Sequence, residues 1–183
     1  MKWPLLFVCA ATALLTGAPM AKAQTPTFEQ RVQVEAIRNK STRVQGGDFD
    51  DRTDRISFTL KLTNTDTKVA FNDCKAEFFV FAQSILNRKA FQLLGSDKFD
   101  FSLAPRAVHS FTSTEVVTMW DKTGAKFGSQ YDSWVLVVRD KDGKVLLKKS
   151  TSPSWLPVAE KLGELKKDSF YERDLKPVKM SRF

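Results

Sequence analysis

The sequence is poor in the residues from which active sites and metal centres are built. It has 1 histidine and 2 cysteines in 183 residues, too few for the three or four nitrogen and sulfur ligands that zinc takes. No G-x-S-x-G stretch accompanies His109, which excludes the nucleophile elbow of an α/β-hydrolase. His109, within Val108-His109-Ser110-Phe111, reads instead as a strand-surface residue. No run reaches the roughly 20 apolar residues of a membrane-spanning helix. Tyrosine is scarce as well. The 15 phenylalanines against 2 tyrosines describe a packing composition, whereas wet aromatic platforms for sugars favour rings with a polar handle. Trp120, Trp134 and Trp155 are the rings left to build such a platform.

What is present begins at the N-terminus. Lys2, the apolar run from Leu5 to Leu15, and Ala21-Lys22-Ala23 ahead of Gln24 make a basic start, a short hydrophobic core and small residues at a cleavage site. Residues 1–23 are therefore expected to be a cleaved signal peptide on an exported chain. Cleavage removes Cys9, and Leu6-Phe7-Val8 stand where a lipidation site has small residues. Cys74 then remains alone, so no internal disulfide is available and stability must come from a packed core. Cys74 is the candidate free thiol; a buried thiol is expected, with an intermolecular bridge as the alternative.

The formal net charge of +8 is spread among both signs. Asp48, Asp50, Asp51 and Asp54 alternate with Arg52 and Arg55, the pattern of a solvated face, so no nucleic-acid partner is expected. The same aspartates do not form a calcium loop of the EF-hand type, because Phe49 and Arg52 interrupt them and no Glu closes the set. No metal or cofactor is expected. Glu77 and Glu115 are the remaining pair of carboxylates to consider, and nothing in the sequence brings them together.

Alternation dominates from Arg31 to Lys149. Ile56, Phe58, Leu60 and Leu62 point one way and Ser57, Thr59, Lys61 and Thr63 the other, a half-buried strand. Cys74, Ala76, Phe78, Val80 and Ala82 repeat the pattern, but Phe79 and Phe81 make the second face apolar too. That strand is either covered on both sides or turns its second face to a partner. Val32 to Ala36 and Phe99 to Leu103 mark further strands, and Phe91 with Leu93 a short edge strand. Trp134–Arg139 and Lys144–Lys149 form a hairpin through Asp140-Lys141-Asp142-Gly143. The other connections fall at Gln45-Gly46-Gly47-Asp48, Asn64-Thr65-Asp66, Ala104-Pro105-Arg106 and Lys122-Thr123-Gly124.

Seven to eight such strands without crossover helices predict a mainly β fold, an antiparallel immunoglobulin-like β-sandwich over residues 24–150. A short helix over 151–166 follows, with Ser154 as its cap, Pro157 in its first turn, and Leu156, Ala159, Leu162 and Leu165 at helical spacing. Residues 167–183 hold too few apolar side chains for a core and are expected to be a C-terminal arm that wraps a partner or stays mobile. Phe79, Phe81, Trp155, Leu156, Leu162 and Leu165 are the candidate interface, because these side chains exceed what one sandwich core holds.

The strand run, with Ile56-Ser-Phe-Thr-Leu-Lys-Leu-Thr-Asn, Phe78-Phe-Val-Phe, the Pro105 turn and Trp134-Val-Leu-Val-Val-Arg-Asp-Lys-Asp-Gly, resembles small exported immunoglobulin-like proteins of Gram-negative bacteria. Some of these accompany pilus or secretion gene clusters, and their fold is similar to the globular domain of archaeal-type pilins. Such pilins keep a long N-terminal hydrophobic helix, which residues 1–23 are too short to supply. The resemblance thus implies a pilus-associated accessory in the periplasm or on the cell surface, not a filament-forming pilin. The expectation is a non-enzymatic envelope or surface protein acting through protein contacts. Its partners are envelope or pilus proteins, or further copies in a dimer or trimer. The alternative is a binding module for an envelope glycan or small apolar ligand.

Overall fold

The computed structural model describes residues 26–44, 51–121 and 127–179. The expected signal peptide, the Gly46-Gly47 loop with Asp48 and Asp50, the Lys122-Thr123-Gly124 turn and residues 180–183 of the arm lie outside them.

A single helical turn, α1 (Phe28–Arg31), leads into β1 (Val32–Val44), which pairs antiparallel along its length with β2 (Asp51–Asn64). The alternation of β2 is realised in full. Ile56, Phe58, Leu60 and Leu62 are buried on one face, and that inward series ends at both extremities on a buried polar side chain, Asp54 and Asn64. Each is satisfied: Asn64 Nδ2 donates to the carbonyl oxygens of Val69 (2.7 Å) and Ala104 (3.0 Å). Asp54 accepts from Thr42 Oγ1 (2.7 Å) and Trp120 Nε1 (3.3 Å) and pairs with Lys40 Nζ at 2.8 Å. Burial alone would raise the Asp54 pKa, but the hydrogen bonds from Lys40, Thr42 and Trp120, with the Lys40 charge, hold its carboxyl below the ordinary value.

The following strands are β3 (Phe71–Ser84), β4 (Phe91–Leu103), β5 (Val108–Thr112), β6 (Val116–Asp121), β7 (Ser129–Arg139) and β8 (Val145–Ser150). A 3-10 helix (Pro153–Glu164) and two short strands, β9 (Phe170–Tyr171) and β10 (Pro177–Val178), complete the chain. One sheet holds β1, β2 and, beside β2, both β5 and β6; the other runs in the order β10-β9-β4-β3-β7-β8. All pairings are antiparallel. The expected hairpin is the β7–β8 pair, its turn fastened by Asp140 Oδ1, which accepts from the N–H groups of Asp142 and Lys144 at 2.9 Å. The fold is thus an antiparallel β-sandwich.

Three expectations are corrected here. Phe91 and Leu93 do not form an edge strand apart from Phe99 to Leu103: a single strand, β4, spans Phe91–Leu103 and lies between β3 and β9. Its pairing with β3 runs from Phe91 to Leu103 across two irregularities, one near Leu94 and one between Phe71 and Cys74. The short helix expected after Ser150 is present as a 3-10 helix, and its start is what needs correcting. Ser152, not Ser154, is its N-cap, Pro153 begins it, and Pro157 falls inside it, where its missing N–H denies an α-helical bond. The arm, expected to wrap a partner or stay mobile, instead adds β9 and β10 to the edge of the chain's own sheet, Phe91 pairing with Tyr171 and Gln92 with Phe170.

Two apolar clusters result. The inner one fills the sandwich, with Phe58, Leu60, Phe78, Val80, Trp134 and Leu136 among its members. The outer one lies on the far face of the six-stranded sheet, where Phe79, Phe81, Phe91, Leu93, Val135 and Val137 meet Trp155, Ala159 and Leu162 of the 3-10 helix. Three layers follow from β3 being apolar on both faces.

Candidate functional site

Phe79 and Phe81 were expected to be available to a partner, and the structure corrects this. Both are fully buried beneath the 3-10 helix, as are Trp155 and Leu162, while Leu156 and Leu165 are half-buried. The covering is specific. The Trp155 indole stacks on Phe81, Phe91 meets its edge at 5.5 Å between centroids, and the Arg173 guanidinium lies 3.7 Å from the Phe91 centroid and 4.5 Å from that of Trp155. Arg173 also reaches Asp132 at 3.1 Å. A bulge in β7 accommodates Asp132 opposite β3.

The other residues singled out in the sequence are not assembled into a reacting group. Glu77 pairs with Lys98 (2.8 Å) on the six-stranded sheet, and Glu115 pairs with Arg55 (2.8 Å) on the other. The half-buried His109 lies over Phe99 and Phe101, with centroids 5.8 and 5.4 Å apart. Cys74 is free and buried, and burial, followed by the charges of Asp140 and Asp73, pushes its thiol up to about 11. Among the described residues no cluster of His, Cys, Asp and Glu is arranged to hold a metal. The three tryptophans do not form one platform: Trp134 is in the inner cluster, Trp155 in the outer, and Trp120 of β6 is tied to Asp54 of β2.

The surface that does gather exposed apolar groups lies elsewhere. Six large hydrophobic side chains are exposed among the described residues, and three of them, Leu86, Val117 and Met119, line one cleft of about 1310 Å³. Its form follows from the unequal sheets. The smaller sheet reaches β4 through β6, where Val116 packs over Gly95; the larger sheet continues beyond β4 into β9 and β10. This leaves a step. Its floor is the inner face of the larger sheet, on which Gln92, Phe170 and Val178 are successive cross-strand neighbours. Its wall is the edge of β6.

One end of that wall is closed. Asp121 N–H donates to Phe127 O at 3.3 Å, and Trp120 forms a bridge with Gly128. Gly128 sits at φ 100, so close to β6 that a Cβ would run into the Met119 carbonyl. Since main-chain direction alternates along a strand, Met119 and Val117 share the outward orientation of Asp121. The N–H and C=O of Val117 and the N–H of Met119 consequently face the cleft, with no strand beside them among the described residues. Beneath them, Thr118 Oγ1 is buried without a hydrogen-bond partner among the described residues.

The sequence reading missed this site. The signal available was Val116-Val117-Thr118-Met119-Trp120, a run rich in β-branched and aromatic residues. Nothing local says that β9 and β10 return to form a floor beside it.

Fold and site together define a three-layered β-sandwich with an open step at one sheet edge. No protein-family model matches the sequence, and no curated protein matches it. Distant likeness to solved structures exists. A chain from Akkermansia muciniphila is 13% identical, with 81% of this chain and 88% of that one covered and a TM-score of 0.35. A structural-genomics target solved by X-ray diffraction is 10% identical over 69% of this chain and 91% of its own, also at 0.35. A beta-glucuronidase of Bacteroides uniformis is 12% identical at a TM-score of 0.34; 66% of this chain matches 12% of that enzyme. Likeness this remote carries no argument about function. Among the described residues no helix is long and apolar enough to cross a membrane.

Proposed function

We propose that this is an exported, non-enzymatic protein of the envelope or surface of a Gram-negative bacterium that works by holding another macromolecule in the cleft beside β6. The observation that carries the reading is the concentration of Leu86, Val117 and Met119, side chains left exposed by the described residues, along one concave surface. An accessory role beside a surface assembly such as a pilus is the finer form of this reading. A small apolar ligand is the second reading, supported by the same lining.

The test is photocrosslinking in the native envelope with a photoreactive residue at Met119, and with a control at Ser57 on the solvated face of β2. Covalent adducts of discrete, larger mass at Met119 and none at Ser57 are expected, with the mature chain starting at Gln24. Adducts at neither position, or at both alike, reject the cleft. A small-molecule adduct at Met119 transfers the conclusion to the second reading, and a product that keeps Met1 rejects export.

A further inference from the structure

Resting on the cleft as the contact site, we infer that its occupant is a short extended polypeptide segment that adds to β6 as a further strand of the smaller sheet. The chemistry of the wall specifies main-chain recognition. Val117 presents both an N–H and a C=O, and Met119 an N–H, on the edge of β6 turned away from β2, where no strand among the described residues pairs with them. Unpaired strand edges take another strand because each main-chain group then regains a hydrogen bond.

The floor specifies the occupant's side chains. One strand laid beside β6 passes above Phe170 and Val178, which no strand of the smaller sheet covers. Alternate residues of such a strand face the floor, so an apolar residue at every second position fits.

Charge adds a third requirement. Glu164, Lys166 and Asp168 line the rim, all exposed and none in an ion pair among the described residues. Two carboxylates against one ammonium make the rim net negative in a chain whose formal charge is +8. The segment that matches is apolar at alternate positions and carries a Lys or Arg between them.

The experiment uses the full mature chain and the synthetic peptide Val-Thr-Val-Lys-Val, blocked at both ends. Two further forms are N-methylated, one on the second and fourth residues and the other on the third and fifth. N-methylation removes main-chain donors on one edge of the strand while every side chain remains. Calorimetric titration is expected to show binding of the parent and of one methylated form, with the other weakened by about tenfold for the hydrogen bonds it forfeits. Replacing the peptide Lys with Glu is expected to weaken binding severalfold. The amide resonances of Val117 and Met119 should shift with the parent peptide.

Equal binding of all methylated forms overturns strand addition while leaving the cleft as a contact site through side chains. No binding of the parent overturns the inference even if Met119 crosslinks to a partner. Should the free protein sediment as a dimer with the Val117 and Met119 amides already protected, the occupant is a second copy and the inference falls.

Discussion

The Trp155 indole lies nearly flat on the ring of Phe81, centroids 4.2 Å apart and planes 19° from parallel, while its Nε1–H donates to Ser133 Oγ at 2.9 Å. Ser133 Oγ in turn lies 2.6 Å from Asp132 Oδ2, and Asp132 holds Arg173. A ring from the 3-10 helix, a hydroxyl from β7 and a guanidinium from the arm thus meet at one point on the outer face. The helix needs this anchorage, because its repeating 3-10 geometry is a poor source of stability by itself.

Trp155→Ala should cost about 3–5 kcal/mol, the range for deleting a large buried aromatic side chain. Ser133→Ala should cost about 1–3 kcal/mol, since the indole N–H is then buried without an acceptor. Urea denaturation checks both. A loss below about 1 kcal/mol for Trp155→Ala would show that the helix does not contribute to the cooperative unit.

Gly95 of β4 lies directly against Val116 of β6 across the sandwich. A Cβ there would lie 2.8 Å from Val116 Cγ1, so one methyl group must move. Gly95→Ala is expected to destabilise by about 1–3 kcal/mol. Adding Val116→Ala should recover part of that loss in a double-mutant cycle. Strictly additive effects would contradict the contact.

The depressed pKa of Asp54 sets a direction for acid unfolding. Its folded value lies below the ordinary 3.8, so its charged form contributes stability that is complete above 3.8 and is lost as pH falls below it. Asp54→Asn should therefore be less stable than wild type at neutral pH, with the difference shrinking below pH 3.8. Stability measured by denaturant titration at a series of pH values checks this, and a gap that widens toward acid refutes it.

Cys74 should resist thiol reagents at pH 8 in the native protein, given its burial and a pKa of about 11, and react fully in denaturant. Oxidising conditions should produce no disulfide-linked dimer. Rapid native labelling would place the thiol at the surface.

The strands were legible because side-chain period 2 is written locally: Ile56, Phe58, Leu60 and Leu62 announce their shared face without knowledge of what covers it. The second apolar face of β3 was equally plain at Phe79 and Phe81. Its cover was not, because Trp155 and Leu162 reach it from far along the chain, and sequence pattern does not distinguish a chain's own helix from a partner's. The helix type turned on Pro157, whose effect depends on whether it falls in the first turn or within the helix. Phe170-Tyr171 and Pro177-Val178 are too short to show periodicity, so the floor of the cleft was invisible until the pairing with Phe91 and Gln92 was seen.

β3 has no spare side. From Phe78 to Ala82 successive residues belong alternately to the inner and the outer cluster, so a change of size at any of these positions has nowhere solvent-facing to relax. The opposite holds along β2, where Ser57, Thr59, Lys61 and Thr63 are all partly open to solvent. β7 shares the constraint of β3, since Trp134, Leu136 and Val138 belong to the inner cluster and Val135 and Val137 to the outer one, so the sandwich concentrates its intolerance to amino-acid replacement in these two paired strands. Diversification of the molecule, whether by natural drift or in a randomised library, is steered away from those strands and toward the outer face of the smaller sheet.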